Sequence, residues 1–161
     1  MNRAILDEGG TVMQFVGDAV MACFGAPVPL DEHADRALCA ARSMLARQRA
    51  LNERWLAASR APFGIGIGIG VSTGPVAAAL LGSEERVEYT LVGDTVNLAQ
   101  RLQDLARPSG RIVINESTYV ALHSDFDVVP LDETTVKGRN TPVRAYRIDV
   151  FDDMERGLVH E

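Results

Sequence analysis

The sequence predicts an α+β domain, in which helices and antiparallel strands share one core. Three observations carry this: paired β-type runs about a glycine turn at residues 11–25, a long helical periodicity over 31–57, and proline- and glycine-broken apolar runs near the end. A length of 161 residues, 47% hydrophobic and 24% charged, suits one domain with one substantial core. The expected division is a domain over residues 1–150 and a C-terminal tail over 151–161.

MNRAILDEGG reads as the last turns of a helix stopped at Gly9-Gly10, where glycine relieves the left-handed conformation of a C′ position. So short a helix leads to the expectation that an N-terminal part is missing. TVMQFV and AVMACFG form a hairpin about Gly17-Asp18. Asp31 is placed to cap a helix running to about Ala57, with Ala34, Ala37, Leu38, Ala41, Leu45 and Trp55 facing inward. PFGIGIGIGV is a strand with Ile65, Ile67 and Ile69 on one face and glycines on the other. The dinucleotide fingerprint GxGxxG fails there because Ile69 takes the third glycine position, so the glycine face is read as admitting a close neighbour, helix or ligand.

PVAAALLG is the next strand, and SEERVEYTLVG a connection or arm. A helix over Thr95–Ala106 turns Val96, Ala99, Leu102 and Leu105 or Ala106 inward. RIVI is a strand, ESTYVALH a short helix capped by Asn115 or Ser117, and DVVPL, TTVKG and PVRAYRIDV end the chain as an antiparallel pair.

A net charge of −6 leaves no broad basic surface for a phosphate backbone, which argues against nucleic-acid binding. His33, His123 and His160 lack zinc-ligand spacing. Cys23 and Cys39 are expected to be buried free thiols in a reducing cytoplasm. Residues 61–83 carry no charge, but their glycines, Ser72, Thr73 and Pro75 make them too weakly hydrophobic for a membrane span. MNRAILDEGG lacks the apolar core of a signal peptide.

Asp18 is the one charge in MQFVGDAVMACFG, and a buried carboxylate needs a partner, a proton or a metal; at a turn it can instead bond its own backbone. Asn97 and Arg101 lie one helical turn apart, a neutral donor beside a fixed cation, either an exposed polar pair or a pair suited to charge growing on a phosphoryl group. Lys137, before a glycine in VKGRN, is either a solvated turn lysine or an ammonium aimed at a phosphate.

Taken together and in order, GGTVMQFVGDAVMACFGAP, EYTLVGDTVNLAQRL and VKGRNTPVRAYRI resemble the class III nucleotidyl cyclase catalytic domain, the adenylate and guanylate cyclase family, from about Glu8 to Ile148. The resemblance implies a ferredoxin-like βαββαβ-type core that works as a head-to-tail dimer, with active sites at the interface. It assigns Asp18 to a metal, Asn97 and Arg101 to the transition state, Lys137 to triphosphate oxygens, and Gln14 and Thr90 to selection of the base. The implied reaction converts ATP to 3′,5′-cyclic AMP and pyrophosphate with two ions, Mg2+ or Mn2+, in the cytoplasm.

The sequence also departs from the family. The first strand, with a second metal aspartate, and the helices after it precede the residues present, and the absent strand lies centrally in the family's sheet. Gln14 replaces the usual adenine-selecting lysine by an amide that both donates and accepts, and Ala79 stands where glycine is common. ATP is expected over GTP, and the partner is a second copy or another cyclase domain. A guanylate cyclase, a noncatalytic cyclase-like regulatory domain and an unrelated α+β binding module are the alternatives.

Overall fold

The computed structural model describes residues 1–58, 60, 63–83, 86–107, 110–131 and 143–149, the side chains of 80–89 excepted. In chain order the elements are α1 (Asn2–Asp7), β1 (Thr11–Val16), β2 (Ala19–Cys23), α2 (His33–Ala57), β3 (Gly68–Val71), β4 (Ala77–Ser83), β5 (Arg86–Val92), α3 (Asp94–Leu105), β6 (Arg111–Asn115), α4 (Glu116–Val120), β7 (Val128–Pro130) and β8 (Ala145–Ile148). The architecture is α+β, as the sequence predicts.

The main sheet has the order β3-β6-β8-β7, with β3 parallel to β6 and the remaining pairs antiparallel. Strand alternation gives it two apolar faces. Ile112, Ile114 and Ile148 point to α2 and pack on Leu38, Ala41 and Leu45, while Val113 and Ala145 point to α3 and pack with Leu98, Leu102 and Ala106. Each fully buried leucine contributes about 2–5 kcal/mol against truncation to alanine, so a helix on each face secures the sheet from both sides.

The glycines of GIGIGIG are explained by the second layer. A Cβ on Gly68 would sit 3.0 Å from the Gln103 carbonyl oxygen and 3.2 Å from Ala106. On Gly70 it would overlap the Ala99 carbonyl oxygen and the Gln103 amide nitrogen. The close neighbour admitted by these two glycines is therefore α3, whose backbone lies directly on the strand.

Hairpins β1-β2 and β4-β5 form separate antiparallel pairs. Among the described residues β2 pairs only with β1, and β3 only with β6, so each ends its sheet. Gly17 takes φ +62° at the first central position of the β1-β2 turn, the geometry of a type II′ hairpin. Gly9 at φ +75° ends α1 as expected.

Several expectations are corrected. The residue before α2 is Glu32, at φ +53° with no side-chain cap, rather than Asp31. Asp35 in the first turn makes the anchoring bonds instead, accepting the Ser124 amide at 2.7 Å and the His123 amide at 3.1 Å. Burial pushes its pKa up, but the bonds from Ser124 and His123 outweigh this and hold it below the ordinary carboxylate value.

Residues 86–92 are a strand rather than an arm, because they pair with β4 along its whole length. The strand predicted over residues 62–71 is ladder-paired only from Gly68. Before it, the Asn52 side-chain amide pairs with both the N–H and the C=O of Ile65 at 2.9 Å, and Gln48 donates to the same carbonyl. Helix side chains thus take the place of a neighbouring strand. Leu98 joins the inward face of α3 because that helix meets β6 and β8 as well as β3.

Cys39 is exposed and Cys23 half-buried, since position 39 falls on the outer side of α2 between the inward Leu38 and Ala41; both are free thiols. The β7-β8 pairing bears out the terminal antiparallel pair, while TTVKG lies outside the described residues.

Candidate functional site

Asp18 stands at the tip of the β1-β2 hairpin. It is exposed, so its carboxylate is not the buried charge that the apolar run suggests, and the flanking Phe15 and Val16 are each 60% exposed as well. A Cβ at Gly17 would meet nothing within 4 Å, so glycine serves the turn's backbone there and leaves the carboxylate open to solvent. Gln14 lies on β1 just after a bulge, opposite Met21, and is half-buried. The bulge breaks the regular register between Val12 and Gln14, which re-aims the side chains on this part of the strand.

Thr90 lies on β5 opposite Ala79, half-buried, and β5 rests against β1. The strands bearing Gln14 and Thr90 are thus neighbours. β5 leads through Gly93, at φ +145°, directly into α3, which also packs on β5. One continuous segment therefore carries Thr90, Asn97 and Arg101.

On α3, Ala99 and Gln103, with Ala106 just past its end, meet the glycines of β3, and Leu98 and Leu102 enter the core. Asn97 and Arg101 project from the side of the helix away from β3, one turn apart. Asn97 is exposed. Arg101 is half-buried, and its Nη1 is fully buried with no hydrogen-bond partner among the described residues. Leaving such a donor unmade costs about 1–3 kcal/mol, more for a charged group, and an anionic oxygen would satisfy it.

Lys137 lies outside the described residues. No group of three or more His, Cys, Asp or Glu suited to a metal occurs among the described residues. Asp18 by itself offers one carboxylate, which falls short of a two-ion site. No helix among the described residues is long and apolar enough to cross a membrane.

The family model of the adenylate and guanylate cyclase catalytic domain matches residues 1–149. Adenylate cyclase 1 of Rhizobium meliloti is 35% identical over 148 residues, which cover 91% of this chain and 22% of that protein. The terminal-differentiation-specific adenylate cyclase of Dictyostelium discoideum is 33% identical over 149 residues, 90% of this chain and 7% of that protein. The chain thus spans less than a quarter of the length of these relatives. Among solved structures, the adenylyl cyclase CyaB from P. aeruginosa superimposes with a TM-score of 0.80 at 28% identity, covering 94% of this chain and 78% of that one. The guanylate cyclase domain of RhGC from Catenaria anguillulae, in complex with GTP, gives a TM-score of 0.78 at 30% identity with the same coverage.

Proposed function

Since the chain belongs to the adenylate and guanylate cyclase catalytic domain family, we propose that it forms 3′,5′-cyclic AMP and pyrophosphate from ATP, in cytoplasmic signalling. The observation that carries this reading is the buried, unpartnered Nη1 of Arg101, one turn from the exposed amide of Asn97. In the reaction the ribose 3′-hydroxyl gives up its proton to water, its oxygen bonds to the α-phosphorus, and the bond from that phosphorus to the β-bridging oxygen breaks. Negative charge grows on the α-phosphoryl oxygens and the leaving pyrophosphate. A guanidinium with one nitrogen already buried meets that charge with little reorganisation, and Asn97 donates a neutral hydrogen bond beside it.

Gln14 and Thr90 read the base, and adenine suits the amide because glutamine can both accept from its exocyclic amine and donate to a ring nitrogen. Lys137 holds the triphosphate by charge. Cyclase domains of this family use divalent metals, and Mg2+ or Mn2+ is the ion proposed. Asp18 would be one ligand, completed by a carboxylate from outside the described residues. Two copies, or this chain and another cyclase domain, associate about the site, and the exposed Phe15 and Val16 beside Asp18 are an apolar tip that association would cover.

The absence of a metal-suited cluster among the described residues favours a second reading, a noncatalytic cyclase-like domain that dimerises or binds nucleotide without turnover. Cyclic nucleotide formation from ATP and from GTP, measured with Mn2+ on the intact protein, separates the two. Cyclic AMP that falls away in Asn97→Ala and Arg101→Ala supports the cyclase. Turnover unchanged in both variants would remove the mechanism, cyclic GMP alone would reassign the base, and no product from either nucleotide leaves the regulatory reading.

A further inference from the structure

The connection from β3 to β4 runs through Thr73, Gly74 and Pro75, and side chains of two different helices hold it. At one end, the Thr73 amide donates to Thr118 Oγ1 at 2.9 Å and to Asn115 Oδ1 at 3.2 Å, while Asn115 Nδ2 donates to the Thr73 carbonyl at 3.2 Å. Thr118 Oγ1 donates to Asn115 Oδ1 at 2.6 Å and lies 3.0 Å from Thr73 Oγ1, whose hydroxyl supplies the remaining proton. Thr118 has no exposed surface and Asn115 very little, so this knot sits inside the protein. Asn115 also caps α4 by accepting the Thr118 amide at 3.0 Å, which ties the knot to the end of the central strand β6.

At the other end, Thr95 Oγ1, in the first turn of α3, donates to the Pro75 carbonyl at 2.7 Å. The approach is close: a Cβ on Gly74 would lie 2.6 Å from Thr95 Oγ1, and one on Gly93 would lie 3.4 Å from the Pro75 oxygen. Ser72 Oγ is buried without a partner among the described residues, so Ser72's side chain adds nothing to the clasp.

We propose that this clasp fixes the first turns of α3, making Asn115, Thr118 and Thr95 positioning residues for Asn97 and Arg101. The inference rests on the reading of that pair as the phosphoryl-contacting groups. Its physical basis is that the N-terminal turn of α3 lies ahead of the Leu98 and Leu102 packing on β6 and β8, and that the glycine face of β3 offers that helix no side chain to hold its register. A hydrogen bond from Thr95 to a loop itself pinned to β6 supplies that hold. The same loop leads into β4, which pairs with Thr90's strand, so one clasp sets both the base-reading strand and the phosphoryl-facing helix.

The test perturbs one end and reads the other. Thr118→Val keeps the buried volume and deletes the hydroxyl, and Thr118→Ser restores it. Amide hydrogen exchange on the whole, nucleotide-free chain is expected to quicken by about tenfold at Thr73 and Gly74 and also at Val96 and Asn97, with Ile112–Ile114 unchanged and the serine variant returning to wild type. Faster exchange at Thr73 and Gly74 with Val96 and Asn97 unmoved would overturn the proposal, as would no change at either. Should Thr118→Val loosen residues 112–114 as well, Thr95→Val perturbs the other end: faster exchange at Thr73 and Gly74 supports the proposal, and Thr73 and Gly74 unmoved would overturn it.

In the intact protein, Thr118→Val should also lower kcat about tenfold with KM within about twofold, since misplacement acts on the transition state rather than on uniform binding. Asn97→Ala is measured alongside. Wild-type turnover in Asn97→Ala would refute the reading of the pair without touching the exchange result. A loss there, with Thr118→Val fully active, would refute the clasp alone.

Discussion

Replacing Gly70 by alanine adds one methyl group between β3 and α3. It would lie 2.9 Å from the Leu102 carbonyl carbon and closer still to the Ala99 oxygen and the Gln103 nitrogen, whereas ordinary contact begins at 3.4 Å. All of these are helix backbone atoms that cannot rotate aside, so α3 must back away by roughly 1 Å. Overpacking of this kind costs about 1–3 kcal/mol, and backbone partners argue for the upper end. For a domain of this size about 3 kcal/mol lowers the melting temperature by roughly 6–12 °C. The helix that moves carries Asn97 and Arg101, and a displacement near 1 Å costs about a hundredfold in turnover.

Thermal unfolding and cyclic nucleotide formation are measured on the intact protein. Gly17→Ala serves as the control: the position is open, and its φ of +62° alone sets a cost of about 1–2 kcal/mol with no shift of α3. A Gly70→Ala protein melting within about 2 °C of wild type would refute the argument that the glycine face exists to seat the helix.

Other outcomes follow from the same geometry. Arg101→Met should keep or raise stability, by up to about 1 kcal/mol, because it deletes a buried unpartnered donor, while turnover falls about a hundredfold; denaturant unfolding and product formation check the pair. Leu45→Ala should destabilise by about 2–5 kcal/mol in denaturant titration, since Leu45 is fully buried where α2 meets Ile112, Ile114 and Ile148. Asp35 has its folded pKa held below the ordinary carboxylate value, so the folded state binds fewer protons than the unfolded one as pH drops. Its stabilisation is therefore complete above the unfolded value and is lost as pH falls through the depressed folded value. Asp35→Asn should flatten the decline in stability below about pH 4, read by unfolding at a series of pH values.

Much of this fold is legible along the chain because its signals are local. Gly17-Asp18 between two apolar runs specifies a hairpin, Asn115 and Ser117 before the short helix narrow its cap to two residues, of which the structure uses Asn115, and a 3.6-residue period specifies which side of α2 is buried. The failures share a cause. Residues 86–92 read as an arm because their strand character depends on a partner, β4, that completes their hydrogen bonds. Asp31 reads as the N-terminus of α2 because capping chemistry is local, whereas Asp35 is engaged by the distant Ser124 and His123. The exposure of Asp18 is equally hidden, since an apolar run reads as buried until the neighbours of the hairpin are known.

For the candidate site, sequence alone determined the residue types and their order: a carboxylate in a turn, an amide and a guanidinium one helical turn apart, and a later lysine, an order that together with the flanking motifs identifies the family. Tertiary structure decided that Gly68 and Gly70 receive a helix instead of a nucleotide, that Arg101 holds a donor buried without a partner, and that Thr73 and Pro75 are clasped between Thr118 and Thr95. The division has one physical reason. Turn, cap and helix-face preferences arise from interactions within a few residues, whereas burial and the satisfaction of a hydrogen bond depend on atoms that approach only when the chain has folded.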